Sequence, residues 1–303
     1  MTIINSLDET QTIMNFMANC SAEVTPNTLK KIEDISALFK PAQPVYVTFL
    51  PGSRLEDTLE CVKRLKLAGY TPIPHIAARS IVDEAMLTGL LQALAAIDVK
   101  RALLIAGGVD QPLGIYHSSM DILKLGLLEH YGFTDIGLAG HPEGSPDIPE
   151  ELLIHALKDK NAYADASPMN FYLITQFCFE AKPIIAWDKH IQAQAGNRLP
   201  IHIGLPGLAT LKTLIKHAQA CGIGSSMRVL TRQAGNITKL LMINAPDKLT
   251  RELAYYQHND PDCGIRNCHL YPLGSLQKSL DWMHQVQAGN FDLAQNQGFN
   301  IKS

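Results

Sequence analysis

Arg101-Ala102-Leu103-Leu104-Ile105-Ala106, closed by Gly107-Gly108, decides the fold. An apolar run with no polar alternation describes a strand covered on both faces, the habit of a parallel sheet. The same form recurs upstream at Cys20 to Thr25, at Val45-Tyr46-Val47-Thr48-Phe49-Leu50 and at Thr71 to Ala77. Downstream it recurs at Asp135 to Ala139, Phe171-Tyr172-Leu173-Ile174-Thr175, Ile201-His202-Ile203-Gly204-Leu205 and Asn267-Cys268-His269-Leu270-Tyr271. Helical spacing fills the intervals. Leu55, Leu59, Val62 and Leu65 lead to a stop at Gly69, and Met86-Leu87, Leu90-Leu91 and Leu94-Ala95 repeat the pattern. So do Ile122-Leu123 with Leu127-Leu128, and Leu208, Leu211 and Leu214-Ile215. Eight such runs alternating with helices predict a single-domain (β/α)8 TIM barrel. An open doubly wound sheet is the alternative, and the strand count favours the barrel.

The 303 residues suit one barrel of roughly 250 residues with extensions. Residues 1–19 read as an N-terminal extension, 162–170 as a long polar loop and 285–303 as a loosely ordered tail. With 46% hydrophobic and 18% charged residues the composition is globular. A net charge of -3 without a basic run argues against a nucleic-acid partner. No run approaches a membrane span of roughly 20 residues, and no leader is visible, so a cytoplasmic protein is expected. The cysteines Cys20, Cys61, Cys178, Cys221, Cys263 and Cys268 form no CxxC and read as core thiols of a reducing compartment. Cys263, Cys268 and His269 lack the spacing of a zinc site, so no metal is expected.

Barrel chemistry stands at the carboxyl ends of the strands. In chain order those ends carry Glu23, Thr25 and Asn27; Thr48; His75 and Arg79; Gly107, Gly108 and Asp110; His141 and Glu143; Thr175 and Gln176; then His269 and Tyr271. The glycine pair lets a backbone approach a ligand but is not a GxGxxG fingerprint.

At these residues the chain resembles the methylenetetrahydrofolate reductase family. The likeness runs from about Ser21 to Trp282. It rests on Ala22-Glu23-Val24-Thr25-Pro26, Val47-Thr48, Pro74-His75-Ile76, Gly140-His141-Pro142-Glu143, Ile174-Thr175-Gln176-Phe177, Gly204-Leu205-Pro206 and His269-Leu270-Tyr271. The resemblance implies hydride chemistry between 5,10-methylene- and 5-methyl-tetrahydrofolate, through bound FAD, with NADH or NADPH as co-substrate. It makes Glu23 the acid that opens the folate ring and Asp110 the aspartate facing the pterin. Gln176 becomes a folate contact. Thr48, His75, His141, Lys160 and the Gly107–Gly108 turn line the flavin. The family's Arg-Gly-Asp turn after the fourth strand is here Gly107-Gly108-Val109-Asp110, without arginine, so Arg79 is the candidate replacement for a flavin phosphate contact.

Each role has a bland counterpart. The alternative for Glu23 is an inert rim carboxylate; as an acid it must carry its proton near neutral pH. Asp110 reads as a turn former before Pro112-Leu113-Gly114, Gln176 as a satisfied core amide, Arg79 as a surface residue. Two other functions stay open: a flavin-independent reductase on the same barrel, and a folate-binding accessory protein without catalysis. A homo-oligomer is compatible with a barrel of this size.

Overall fold

The computed structural model describes residues 6–145, 148–220, 241–295 and 298–302. Eight of its strands build the main sheet: β1 (Ser21–Val24), β2 (Pro44–Val47), β3 (Thr71–Ala77), β4 (Arg101–Ile105), β5 (Asp135–Gly140), β6 (Asn170–Phe177), β7 (Ile201–Pro206) and β8 (Ile265–Tyr271). They close as a barrel in the order β1-β8-β7-β6-β5-β4-β3-β2. Each strand overlaps one of the apolar runs expected from the sequence. The pairs are parallel, with Glu23 opposite Tyr46, Val47 opposite Pro74 and His75 opposite Leu103.

The longer helices are α1 (Ser6–Met17), α2 (Leu55–Leu67), α3 (Glu84–Ala96), α4 (Glu150–Ala166), α5 (Ala181–Ala195), α6 (Leu211–Ala220), α7 (Asp247–Asn259) and α8 (Leu276–Gln287). In α2, Thr58, Cys61, Val62 and Leu65 are buried on one stripe. Glu56 and Asp57 stand in its first turn and Arg64 and Lys66 in its last, matching the helix dipole. Asp83 caps α3 by accepting from Met86 N at 2.8 Å.

Two segments differ from the sequence expectation. Helix α4 runs to Ala166, so the polar stretch 162–170 is not a long loop. Tyr163 holds its last turns: the ring packs edge-on to Phe171 at 5.8 Å and the hydroxyl donates to Leu123 O at 2.7 Å. One aromatic anchor among polar residues leaves no visible apolar stripe. The described residues of 285–302 are folded as well. After α8, β9 (Phe291–Leu293) pairs antiparallel with β10 (Phe299–Ile301). Phe299 stacks on Trp282, with centroids 6.2 Å apart. Here two buried phenylalanines and tertiary contact do what local periodicity does elsewhere.

The chain forms two compact units. The first is Ser21–Ala139 with Ala162–Ile174; the second is Met1–Cys20 with Gly140–Asn161 and Thr175–Ser303. In the first, Tyr46, Ile73, Leu103, Tyr172 and Ile174 pack together as a core cluster. Tyr46 and Tyr172 bring their hydroxyls together at 2.8 Å inside it. Gly137 makes room for that ring: a Cβ there would stand 3.1 Å from both Leu103 Cδ1 and Tyr172 Cε2. In the second unit, α1 buries Ile13, Phe16 and Met17, and Arg251 of α7 binds Glu9 at 2.6 Å. Cys20, Cys61, Cys178, Cys263 and Cys268 are buried thiols; Cys221 lies outside the described residues.

Candidate functional site

Strand alternation places Glu23, Tyr46, Thr48 and His75 on one face of the β1–β3 arc. Glu23 Oε2 stands 3.8 Å from His75 Nε2, with the side chains 15% and 7% exposed. That is longer than a hydrogen bond, and it is an ion pair only when His75 is protonated. The Tyr46 ring meets the His75 imidazole edge-on, with centroids 6.0 Å apart. Thr48 N donates to Val24 O at 2.9 Å, which ties the end of β2 to β1. Thr48 Oγ1 is buried with no hydrogen-bond partner among the described residues. An orphaned hydroxyl costs about 1–3 kcal/mol, and a ligand atom would satisfy it.

The loop after β4 carries Gly107, Gly108 and Asp110. Gly107 has φ +98°, and its missing side chain lets the turn pass Ala77, whose Cβ would be 3.1 Å from an added methyl. Asp110 is exposed. Arg79 holds this loop. Its N–H donates to Ala106 O at 2.9 Å and its carbonyl accepts from Leu113 N at 2.8 Å. Its guanidinium donates to His117 O at 3.0 Å and, weakly, to Val109 O at 3.4 Å. Arg79 is therefore a strut within the loop that presents Asp110.

In the second unit, Gln176 is half-buried at the end of β6. The neighbouring strands clamp that end. Gly204 N donates to Thr175 Oγ1 at 2.8 Å, and Tyr271 Oη donates to Thr175 O at 2.7 Å. His269 is fully buried, edge-on to the Tyr271 ring at 4.6 Å. Below it, Asn267 Nδ2 and His202 Nε2 are 3.1 Å apart. His141 follows β5. Burial, and then the charge of Lys160, push its imidazole down to about 4. Burial alone pushes the Lys160 ammonium down to about 8.

Sequence reasoning missed the Tyr46–Tyr172 pair, the bracing role of Arg79 and the Asn267–His202 contact. Alternation could have found two of these, because Tyr46 lies two residues before Thr48 and Asn267 two before His269. Nothing in the sequence marks Arg79 as a strut. The expected flavin fits the residues in part. Thr48 and the glycine turn offer an unmet hydroxyl and a close backbone approach. The phosphate end fits poorly, because Arg79 is spent on backbone carbonyls. Among the described residues, no group of three His, Cys, Asp or Glu side chains is placed to hold a metal, and no helix is long and apolar enough to cross a membrane.

No family model matches the chain. Among solved structures, an uncharacterized protein from Clostridium thermocellum, described as binding two copies of 5-methyl-5,6,7,8-tetrahydrofolic acid, is similar over 92% of this chain and 99% of its own. The TM-score is 0.57 at 12% identity. The shared property is the fold. A D-psicose 3-epimerase structure with D-fructose covers 89% of the chain at 10% identity, but its TM-score of 0.32 carries no argument.

Proposed function

We propose that this chain binds a reduced folate and moves a hydride between nicotinamide and the one-carbon unit of that folate, interconverting 5,10-methylene- and 5-methyl-tetrahydrofolate. The observation that carries the reading is the half-buried Glu23 beside the buried His75 at the carboxyl ends of β1 and β3. The likeness in fold to a protein described as binding 5-methyl-tetrahydrofolate supports the substrate class.

In the reductive direction the Glu23 carboxyl gives its proton to N10 as the bond from the bridging carbon to N10 breaks. The resulting iminium at N5 takes a hydride from NADH or NADPH, which leaves as the oxidised nicotinamide. Asp110 faces the developing cation and stabilises it. Thr48 supplies its hydroxyl to whichever ring carries the hydride. In the FAD-dependent form of this reading, Thr48, His75 and the Gly107–Gly108 turn would hold a flavin, which would supply hydride relay between nicotinamide and folate. The bracing role of Arg79 favours a second form, direct transfer from nicotinamide. Absorbance of the purified protein between about 370 and 450 nm separates the two forms, since flavins absorb there and neither folate nor nicotinamide gives their twin bands.

The deciding experiment pairs 5-methyl-tetrahydrofolate titration with turnover, for wild type and Glu23→Gln. Both proteins should bind folate, and only wild type should turn it over. A Glu23→Gln enzyme running at the wild-type rate removes the acid; binding by both proteins without turnover by either leaves a folate-binding accessory protein.

A further inference from the structure

A cluster of sulfur side chains lies in the second unit, where the turn after helix α1 meets β8. Helix α1 ends at Met17, and the turn Met17-Ala18-Asn19-Cys20 closes with Cys20 N donating to Met17 O at 3.0 Å. Two sulfur side chains therefore leave one tight turn with two residues between them, the spacing that lets a turn present paired ligands to a metal. Cys268 of β8 meets this turn. Its Sγ is 3.5 Å from Met17 Sδ and 3.7 Å from Phe16 O. The Cys20 side chain lies within interaction range of it. Met17, Cys20 and Cys268 are each 0–1% exposed.

We propose that Met17, Cys20 and Cys268 form a three-sulfur site for a soft monovalent d10 cation, Cu(I). Two thiols and a thioether are the ligand set that soft cations select, and it suits neither magnesium, calcium nor manganese. The thioether and the lack of a fourth donor separate it from the tetrahedral thiolate and imidazole sites of zinc. Three sulfurs around one ion at about 2.3 Å stand about 4 Å from one another, so the pair already at 3.5 Å needs to open by only about half an ångström. Loading replaces two S–H protons by one Cu(I), with no change of oxidation state and with both protons released to solvent. A filled site would pin the end of α1 to β8.

The test is anaerobic titration of the full chain with Cu(I) against a chromophoric Cu(I) chelator, with X-ray absorption of the loaded protein. Wild type should retain one equivalent in an all-sulfur shell at about 2.3 Å. Cys268→Ser and Cys20→Ser should each weaken retention at least 100-fold, and Met17→Leu about 10-fold, while Cys178→Ser, a buried thiol elsewhere, should match wild type. Met17→Leu keeps the side-chain volume, so one variant still reports if a cysteine variant fails to fold. Failure of wild type to retain Cu(I), nitrogen or oxygen in its shell, or retention unchanged in Met17→Leu and in the folded cysteine variants overturns the site.

Discussion

The same substitution, glycine to alanine, should have opposite effects at two places in this chain. A Cβ on Gly204 would stand 2.5 Å from Gln176 O, 2.6 Å from Gln176 C and 2.8 Å from Phe177 N. All three are backbone atoms, so no rotamer change relieves the contact. Strand β7 must move about 1 Å from β6 to restore ordinary separation, at the upper end of the overpacking range, about 3 kcal/mol. That movement also stretches the bond from Gly204 N to Thr175 Oγ1, at 2.8 Å, and the one from Cys178 N to Gly204 O, at 3.3 Å. Each contributes about 1 kcal/mol. The total is on the order of 3–5 kcal/mol, a fall in Tm of roughly 6–20 °C at about 2–4 °C per kcal/mol. Gly89 is exposed in the middle of α3, and a Cβ there meets nothing within 4 Å. Alanine at Gly89 should stabilise by about 0.5–1 kcal/mol through helix propensity and a smaller unfolded ensemble. Thermal unfolding followed by circular dichroism measures both. A Gly204→Ala protein melting within 2 °C of wild type (about one kcal/mol at most) would show that β7 does not pass this close to Gln176.

Stability should also depend on pH through Lys160 and His141. Lys160 is held near 8 against an ordinary 10.5, so between those values the folded chain binds fewer protons than the unfolded one and stability rises with pH. Lys160→Met should remove that rise and, at pH 7, stabilise by on the order of 3 kcal/mol. His141, held near 4 against 6.5, adds a rise between pH 4 and 6.5 that His141→Asn should flatten. Urea midpoints across pH test both, and a flat wild-type profile in either window contradicts the burial of that group. Asp188 is fully buried and accepts from Gln192 Nε2 at 2.7 Å, Gly264 N at 2.8 Å and Tyr256 Oη at 2.9 Å. Asp188→Ala strands all three donors and should cost about 3–5 kcal/mol; an unchanged urea midpoint would mean they find other acceptors.

The barrel was legible because a strand buried on both faces must be apolar throughout, and eight such runs alternating with helical stripes leave few other architectures. The rim residues were legible for the same reason: once the strands are placed, their carboxyl ends can be counted off. Sequence could not show that Tyr163 carries α4 to Ala166, or that Phe291 and Phe299 fold the chain's end, because each rests on one or two aromatic contacts rather than on a period. Nor could it tell that the Arg79 guanidinium is taken up by Val109 and His117 carbonyls, that Glu23 and His75 come within 3.8 Å across two strands, or that Met17, Cys20 and Cys268 share one core. Hydrophobic pattern is local and sets which face is buried. Which polar or sulfur atoms then meet depends on register and barrel closure, and those are decided only when distant segments pack.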